Sequence, residues 1–325
     1  MNQPLVCVCI PCYNAEATIV ETLESIQKQT YHDFEIHIFD NASTDNTIKL
    51  IHQLDENIQI HQAKETTTGE ENFTRCLNFG GGKYTAIYHA DDLYGPEMLG
   101  KQVAFLEVNR GAGGVLTFAN IINENSQKVR AVYAPSCLSM KTGEWGAFEL
   151  IDLVKAVLKE NNFFFCPSAM IRTKVCTEVL KEWRGNMFGP GADLDVWFRI
   201  SEAGSLGLIN EPLLQYRVTT SHFSHGYNKQ NTKRADLFAI LDHWMNKERV
   251  AVCLDEGDQS RYQTWLMWDD VSRARNALNK KEVRLARELF ADVHFLSILK
   301  GCIGSLRGFK FLMLASYVML QLWLK

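Results

Sequence analysis

Apolar and polar positions along the first part of the chain follow two different patterns, one typical of strands and the other of helices. Residues 5–10 form a continuous apolar run, which is typical of a strand buried on both faces, and residues 34–40, 58–62 and 84–88 also indicate strands. Between them, apolar residues recur at helical spacing, as at Ile19, Leu23 and Ile26, where Asn14 is a candidate N-cap. Alternating strands and helices indicate a parallel sheet with right-handed crossovers. The pattern predicts an α/β fold with a Rossmann-like, mostly parallel sheet flanked by helices.

The pattern becomes helical beyond Tyr227, with predicted helices near 229–248, 258–278 and 280–294. We therefore predict two parts, an α/β domain over residues 1–225 and a helical C-terminal region over residues 226–325.

The end of the chain, "FKFLMLASYVMLQLWLK" (309–325), is nearly all apolar. A membrane span needs about 20 apolar residues, so this segment is marginal for crossing a bilayer. A helix that packs on the protein and a monotopic membrane anchor both remain open. Lys310 and Trp323 favour the anchor, because cations and Trp are common in the headgroup region of a membrane. The excess of basic residues between Lys280 and Lys325, eight Lys/Arg against three Asp/Glu, also favours it.

Composition narrows the class of protein without identifying it. The chain is 46% hydrophobic with a formal charge of −4, which gives no case for binding nucleic acid. The nine cysteines are scattered along the chain, and we expect Cys7 and Cys9 to point to opposite faces of a strand, which disfavours a zinc site. Reduced thiols and the lack of a signal peptide predict a cytoplasmic protein, with peripheral contact at the cytoplasmic face of the membrane as a hypothesis.

Polar residues follow three of the predicted strands at the point where each strand ends. They are the segments Pro11–Asn14, Asp40–Asn41 and His89–Asp92. Ligands bind beyond the carboxyl ends of the strands in such sheets, so we expect these segments to meet at one edge. For Asp40 alone, an Asx turn would be a sufficient explanation.

The ligand is predicted by what this edge contains and lacks. Neither G-x-G-x-x-G nor a P-loop follows the first strand, so a diphosphate would need another counter-charge. Asp91 and Asp92 could hold Mn²⁺ or Mg²⁺, which bind carboxylates together with phosphate oxygens. A nucleotidyltransferase would want a basic, glycine-rich loop after the first strand, and none is present.

Three blocks of the chain resemble the family 2 glycosyltransferases, which have the GT-A fold. The blocks are "CIPCYNAEATIVETLESIQKQTYHDFEIHIFDNASTDNT", "ENFTRCLNFGGGKYTAIYHADDLYGPEML" and "GPGADLDVWFRISEAGSLGLINEPLLQYRV". They occur in the family's order and cover about the first 220 residues.

The resemblance implies roles for the residues that match in the first two blocks. Pro11, Tyr13 and Asn14 match the loop around the base and ribose of a nucleotide, and Asp40 matches the aspartate that hydrogen-bonds the base. Arg75 lies where the family often has a basic residue near the nucleotide.

The metal-binding D-x-D region of the family matches Asp91 and Asp92, with Asp91 also close to the nucleotide. His89 stands at the first position of this motif, where the family usually has Asp. His89 could hydrogen-bond the ribose, ligate the ion as a neutral imidazole, or simply make its hydrogen bonds with protein groups at this edge of the sheet.

The third block carries the chemistry that the resemblance implies. Asp193 matches the family's catalytic base, with Asp195 as second candidate, and Ala192 replaces the first acid of the usual pair. Asp195 and Arg199 are four residues apart on a predicted helix, which favours a structural ion pair. His222 is a candidate for the histidine that the family often has after the strand "LLQYRV".

The resemblance thus implies inverting transfer of a sugar, with Mn²⁺ or Mg²⁺ as cofactor. The donor would be a nucleoside-diphosphate sugar, a UDP-sugar being favoured, and the acceptor a saccharide or lipid-linked saccharide of a surface polysaccharide or glycolipid. The alternative is a catalytically silent nucleotide-sugar-binding protein, suggested by His89 and Ala192.

Overall fold

A computed structural model describes residues 5–218, 231–291, 293 and 306–324. The chain divides into two compact units, residues 1–219 and residues 220–325. The boundary that the sequence predicts after residue 225 lies outside the described residues, as does His222.

The first unit is built on a single mixed sheet of ten strands. The strands are β1 (Val6–Cys12), β2 (Phe34–Asp40), β3 (Gln59–Ile60), β4 (Tyr84–Ile87), β5 (Leu93–Tyr94), β6 (Ala112–Ile122), β7 (Lys128–Ala131), β8 (Trp145–Phe148), β9 (Ala169–Arg172) and β10 (Ser205–Arg217). Their order is β3-β2-β1-β4-β9-β6-β10-β5, with β7 on β6 and β8 on β10.

The predicted parallel arrangement is confirmed for the first four strands, which pair in parallel. In the other half of the sheet, β9 runs antiparallel between β4 and β6, while β10 runs parallel to β6. The sequence pattern did not predict these later pairings.

Eight helices accompany the described strands of this unit. They are α1 (Ile19–Gln27), α2 (Thr47–Leu54), α3 (Gly69–Leu77), α4 (Met98–Val108), α5 (Leu150–Glu160), α6 (Thr173–Val175), α7 (Gly185–Phe188) and α8 (Ala192–Ala203). A π-helical turn, Cys176–Leu180, follows α6 directly. The predicted stripe on α1 is confirmed, since Ile19, Leu23 and Ile26 are fully buried.

β1 lies at the centre of the core, and its alternate residues face opposite sides of the sheet. Val6, Val8 and Ile10 belong to the main hydrophobic cluster. Cys7 and Cys9 both lie in a smaller cluster on the other side. Our expectation that the two cysteines face opposite ways was wrong, because residues two apart on a strand share one face.

The described elements of the second unit are all helices. They span Asp236–Met245, Glu248–Ala251, Glu256–Asn279, Val283–Phe290 and Leu306–Trp323. Phe311, Ala315 and Val318 of the last helix are buried in a cluster with Val271 and Ala274, so this helix does pack within its unit. Among the described residues, no helix has the length and apolar character needed to cross a bilayer.

Candidate active site

The carboxyl ends of β1, β2 and β4 meet at one edge of the sheet. Cys12 at the end of β1 pairs with Asp40 at the end of β2, and Cys9 pairs with Ile87 of β4. Beyond the strands, the Asn41 amide donates to the Cys12 carbonyl at 2.8 Å. The three polar segments that the sequence singled out are therefore neighbours.

The loop after β1 is tied to the loop after β2 through Asn14. The Asn14 amide donates to Ser43 Oγ at 2.9 Å, and the Thr44 amide donates to Asn14 Oδ1 at 2.8 Å. Asn14 adopts a left-handed φ of 47°, which asparagine tolerates. It does not cap α1 as expected, since that helix begins at Ile19. Tyr13 is half exposed above this edge and Pro11 is partly buried within β1.

Asp40 and Arg75 are both engaged with the protein in this structure. Asp40 is fully buried, and its Oδ2 accepts from the Ser43 amide at 3.1 Å, as an Asx turn requires. Arg75 Nη1 donates to the Asp40 carbonyl at 3.1 Å and to Asn72 Oδ1 at 2.8 Å. These contacts shape the end of β2, and a direct contact of either residue with a nucleotide stays a prediction.

His89, Asp91 and Asp92 form a cluster of potential metal ligands in the turn after β4. One ligand atom from each residue lies within 4.8 Å of the other two. Asp92 is 1% exposed, and its Oδ2 has no hydrogen-bond partner among the described residues. Burial, together with the charge of Asp91, raises the pKa of Asp92 well above its usual range.

These three residues fit a divalent cation. A buried carboxylate oxygen with no donor, next to a second carboxylate, is costly unless a positive charge compensates it. Two carboxylates and an imidazole offer oxygen and nitrogen ligands, a set that suits Mn²⁺ and is less typical of Mg²⁺.

Side chains from three other elements hold the backbone of the turn 89–92. The His89 carbonyl accepts from Tyr94 Oη (3.1 Å), and the Ala90 carbonyl accepts from both Thr18 Oγ1 (2.9 Å) and Thr22 Oγ1 (3.1 Å). The Asp91 carbonyl accepts from Arg217 Nε (2.8 Å), and the Asp92 carbonyl accepts from Thr22 Oγ1 (2.9 Å). Each carbonyl is thereby satisfied, so the backbone that carries the two carboxylates is held by the fold before any ligand binds.

Arg217, the last residue of β10, is a functional candidate that the sequence reasoning missed. Its amide donates to Asp92 Oδ1 at 2.7 Å, and its guanidinium is 2.8 Å from Glu21 Oε2 and 2.9 Å from Ser126 Oγ. The side chain is buried. A cation closing an apolar strand was the available signal, because burying that charge requires partners.

The imidazole of His89 packs in an aromatic column. The Phe73 ring meets it edge-on at 5.3 Å and stacks on Trp183 at 4.6 Å between ring centroids. The backbone amide of His89 donates to Tyr94 Oη at 2.6 Å. These contacts fix the ring beside the two carboxylates.

Asp193 lies in the first turn of α8, and its Oδ1 accepts from the Leu194 amide at 2.8 Å. Burial raises the pKa of Asp193 to about 7. The charges of Asp193 and Asp92 both raise the pKa values of Cys166 and Tyr216. That Asp193 acts at the same site as the metal-ligand cluster stays a prediction.

Asp195 has a structural role, and the predicted ion pair is confirmed. Arg199 Nε lies 2.8 Å from Asp195 Oδ2, and both residues are buried. The Arg199 guanidinium also donates to the Leu180 and Glu182 carbonyls at 2.7 and 2.8 Å. Asp195 therefore anchors α8, and Asp193 is the carboxylate of this pair that is partly exposed.

Comparison with known proteins agrees with this geometry. The family model for glycosyl transferase family 2 matches residues 7–180, more than half of the chain. An uncharacterized glycosyltransferase of Methanocaldococcus jannaschii is 27% identical over 255 residues, covering 76% of this chain and 82% of that protein. An uncharacterized glycosyltransferase of Haemophilus influenzae is 29% identical over 246 residues, covering 72% of each.

A third relative has a named reaction. WfgD of Escherichia coli, a UDP-Glc:alpha-D-GlcNAc-diphosphoundecaprenol beta-1,3-glucosyltransferase, is 30% identical over 131 residues, which cover 39% of this chain and 50% of that protein.

Two solved structures share the fold. TarS 1–349 of S. aureus, in complex with UDP-GlcNAc, aligns with a TM-score of 0.52 at 16% identity and covers 84% of this chain and 83% of that one. The mannosyltransferase PcManGT of Pyrobaculum calidifontis, in complex with GDP-Man and Mn²⁺, aligns with a TM-score of 0.52 at 14% identity over 99% of this chain and 86% of that one. The predicted GT-A fold with C-terminal helices is confirmed, and the chain belongs to glycosyl transferase family 2.

Proposed function

We propose that this protein transfers a sugar from a nucleoside-diphosphate sugar to a saccharide or lipid-linked saccharide acceptor, with inversion at the anomeric carbon. The observation that carries the proposal is the cluster of His89, Asp91 and Asp92, with the buried, unsatisfied Asp92 Oδ2, at the edge where β1, β2 and β4 end. Ligands of open α/β sheets bind at this edge.

Residues from the loops after β1 and β2 would bind the donor nucleotide. Tyr13 is exposed for stacking on a base, while Asn14 and Asp40 shape the adjoining loops. A UDP-sugar is favoured because Asp40 matches a base-binding aspartate and because TarS and WfgD are named with UDP-sugars. PcManGT is named with GDP-Man, so the base needs a direct measurement.

His89, Asp91 and Asp92 would hold the metal ion. A bound Mn²⁺ or Mg²⁺ would neutralise charge on the departing diphosphate. The protein's own contribution is to hold the backbone of the turn 89–92 through its four satisfied carbonyls, and to hold Asp92 Oδ1 through the Arg217 amide.

Asp193 would act as the base. In a single displacement, the acceptor hydroxyl oxygen bonds to the anomeric carbon as the bond from that carbon to the diphosphate oxygen breaks, and Asp193 takes the hydroxyl proton. A base with a pKa of about 7 is half ionised at neutral pH, where general-base catalysis is most efficient.

The acceptor is proposed from the relatives. WfgD is named for a diphosphoundecaprenol-linked acceptor, and a lipid-linked saccharide of this kind would suit polysaccharide or glycolipid assembly at the cytoplasmic face of a membrane.

A thermal-shift titration tests the donor and the metal together. UDP, dTDP, GDP and CMP are each added with Mn²⁺, Mg²⁺ or EDTA. We expect UDP with Mn²⁺ to stabilise the fold by about 2.7 kcal/mol when UDP is about 100-fold above its Kd. If no nucleotide shifts the melting temperature in the presence of metal, the proposed donor site is wrong.

The variant Asp193→Asn separates the enzyme from a silent nucleotide-sugar-binding protein. Its nucleotide-induced thermal shift should equal that of the parent, while transfer should fall by roughly 10²- to 10⁴-fold, the usual contribution of a general base. Asp195→Asn is the matched comparison on the same helix. It should lower stability by about 3–5 kcal/mol, because it breaks a buried ion pair. Transfer at the parent's rate by Asp193→Asn would refute the base assignment.

A further inference from the structure

The last helix, Leu306–Trp323, buries only one of its two apolar sides. Phe311, Ala315 and Val318 pack in the cluster formed with the helices Glu256–Asn279 and Val283–Phe290. The opposite side is also apolar, and it is open to solvent.

The exposed apolar face of this helix consists of Phe309, Met313, Tyr317, Met319, Leu320 and Trp323. These side chains are 47% to 82% exposed, with Trp323 the most exposed. At 3.6 residues per turn they cover about half of the helix circumference. An exposed apolar surface of this extent marks a binding site for a partner or a membrane.

Charge and composition favour a lipid surface over a second protein chain. Residues 306–324 contain no acidic side chain, and Lys310 is exposed at the border of the face. A helix that pairs with its own copy usually has a narrower apolar stripe flanked by charges of both signs. Tyr and Trp on the apolar side and cations at its border are typical of helices that lie in a membrane interface.

We infer that the exposed apolar face binds the surface of an anionic bilayer, with the helix axis in the plane of the membrane. The face would insert its aromatic and aliphatic side chains between the headgroups, while Lys310 pairs with anionic lipid. This surface belongs to the second unit and is independent of the nucleotide that the first unit binds.

Co-sedimentation of the full chain with vesicles tests the inference. Vesicles of phosphatidylglycerol and phosphatidylcholine should retain the protein, and those of phosphatidylcholine alone should retain it less. High ionic strength should weaken retention because it screens the cations. Lys310→Gln should weaken binding by about fivefold.

The double variant Met313→Gln, Leu320→Gln removes apolar surface without adding charge. It should reduce vesicle binding by roughly tenfold or more. Val252→Gln is the matched control, since Val252 is exposed and lies outside this face. Neither variant should change the melting temperature, because the substituted side chains are already in solvent.

Three results would overturn the inference. The first is equal binding of the parent and the double variant to anionic vesicles, and the second is no binding by the parent. The third is a dimer of the parent in sedimentation velocity that the double variant loses, which would assign the face to a second copy. The UDP and Mn²⁺ thermal shift is measured without vesicles, so failure of the donor proposal and failure of this one are distinguishable.

Discussion

Two carboxylates on one helix, Asp193 and Asp195, show how local surroundings assign different roles to the same side chain. Asp195 is fully buried against Arg199, whereas burial raises the pKa of the partly exposed Asp193 to about 7. A general base must be ionised, must not be paired with a cation and must be accessible to the acceptor, so Asp193 is the better candidate of the two.

His89 is the residue that distinguishes this metal-ligand cluster from two carboxylates alone. Its ring is held against Phe73, beside Asp91 and Asp92. Imidazole binds the later first-row metals more readily than Mg²⁺, which prefers oxygen ligands. The identity of this one side chain should therefore influence the choice of ion.

Replacing His89 by Asp should shift the metal preference from Mn²⁺ toward Mg²⁺. We expect the ratio of the Mg²⁺ and Mn²⁺ dissociation constants to fall by roughly tenfold, since a nitrogen ligand becomes an oxygen ligand. Isothermal titration calorimetry with UDP present measures both constants. His52→Asp, at an exposed position on α2, is the control. An unchanged ratio in His89→Asp would show that His89 does not ligate the ion.

At the scale of elements, the metal-ligand turn depends on α1 and β10. Thr18 and Thr22 come from the start of α1, and Arg217 comes from the end of β10. Glu21 of α1 pairs with Arg217 and so joins the two supports. The geometry of the cluster is thus held by segments far away in sequence.

Arg217→Lys should lower Mn²⁺ affinity by about 10- to 100-fold, the usual effect of losing a group that orients metal ligands. Lysine keeps the charge beside Glu21 but cannot reach Glu21, Ser126 and the Asp91 carbonyl at once. Calorimetric titration with Mn²⁺ measures the effect.

Arg172→Lys is the matched control for this variant, because Arg172 also donates to backbone carbonyls, at Ala112 and Leu106, away from the cluster. It should lower stability and leave Mn²⁺ affinity unchanged. Glu21→Gln is a milder second variant, should Arg217→Lys fail to fold. Parent-like Mn²⁺ affinity in both variants of the Arg217–Glu21 pair would contradict the positioning role.

At the scale of the whole molecule, the site should make stability depend on pH. The pKa values of Asp92 and Asp193 are raised in the folded state, to about 7 for Asp193, so their contribution is present at low pH and is lost as pH rises. Burial lowers the pKa of His37 to about 4, which costs stability as pH falls below about 6.5. Above pH 6.5, where the charge of His37 contributes little, the two carboxyl groups should make the metal-free protein less stable as pH rises.

Melting temperatures between pH 6.5 and pH 8 test this dependence. Ionisation of Asp193 alone should lower the free energy of unfolding by about 1 kcal/mol between these two pH values, which corresponds to a decrease in melting temperature of about 2–4 °C. Asp193→Asn should reduce the decrease, and saturating Mn²⁺ should reduce the part due to Asp92. A melting temperature that rises with pH in metal-free buffer would contradict the assignment.

Local patterns predicted the part of the fold in which neighbouring elements are also neighbours in sequence. β1 and β4 are almost wholly buried, β2 is buried toward its carboxyl end, and consecutive parallel strands place their polar ends at one edge. The same patterns did not predict β5, whose two residues pair with β10 more than one hundred positions later. The shared face of Cys7 and Cys9 also follows from a local rule, because residues two apart on a strand point to the same side of the sheet.

The amino-acid sequence by itself determined the α/β class, the three polar segments at the ends of β1, β2 and β4, and the candidates Asp91 and Asp92, while Asp193 was implied by the family resemblance. Periodicity and the ends of strands are local properties, so they can be read along the chain. Tertiary structure alone decided that Arg217 supports the metal-ligand turn and which side of the last helix is exposed. Each of these depends on which distant groups satisfy a buried charge or cover an apolar face, and that is settled only when the chain has packed.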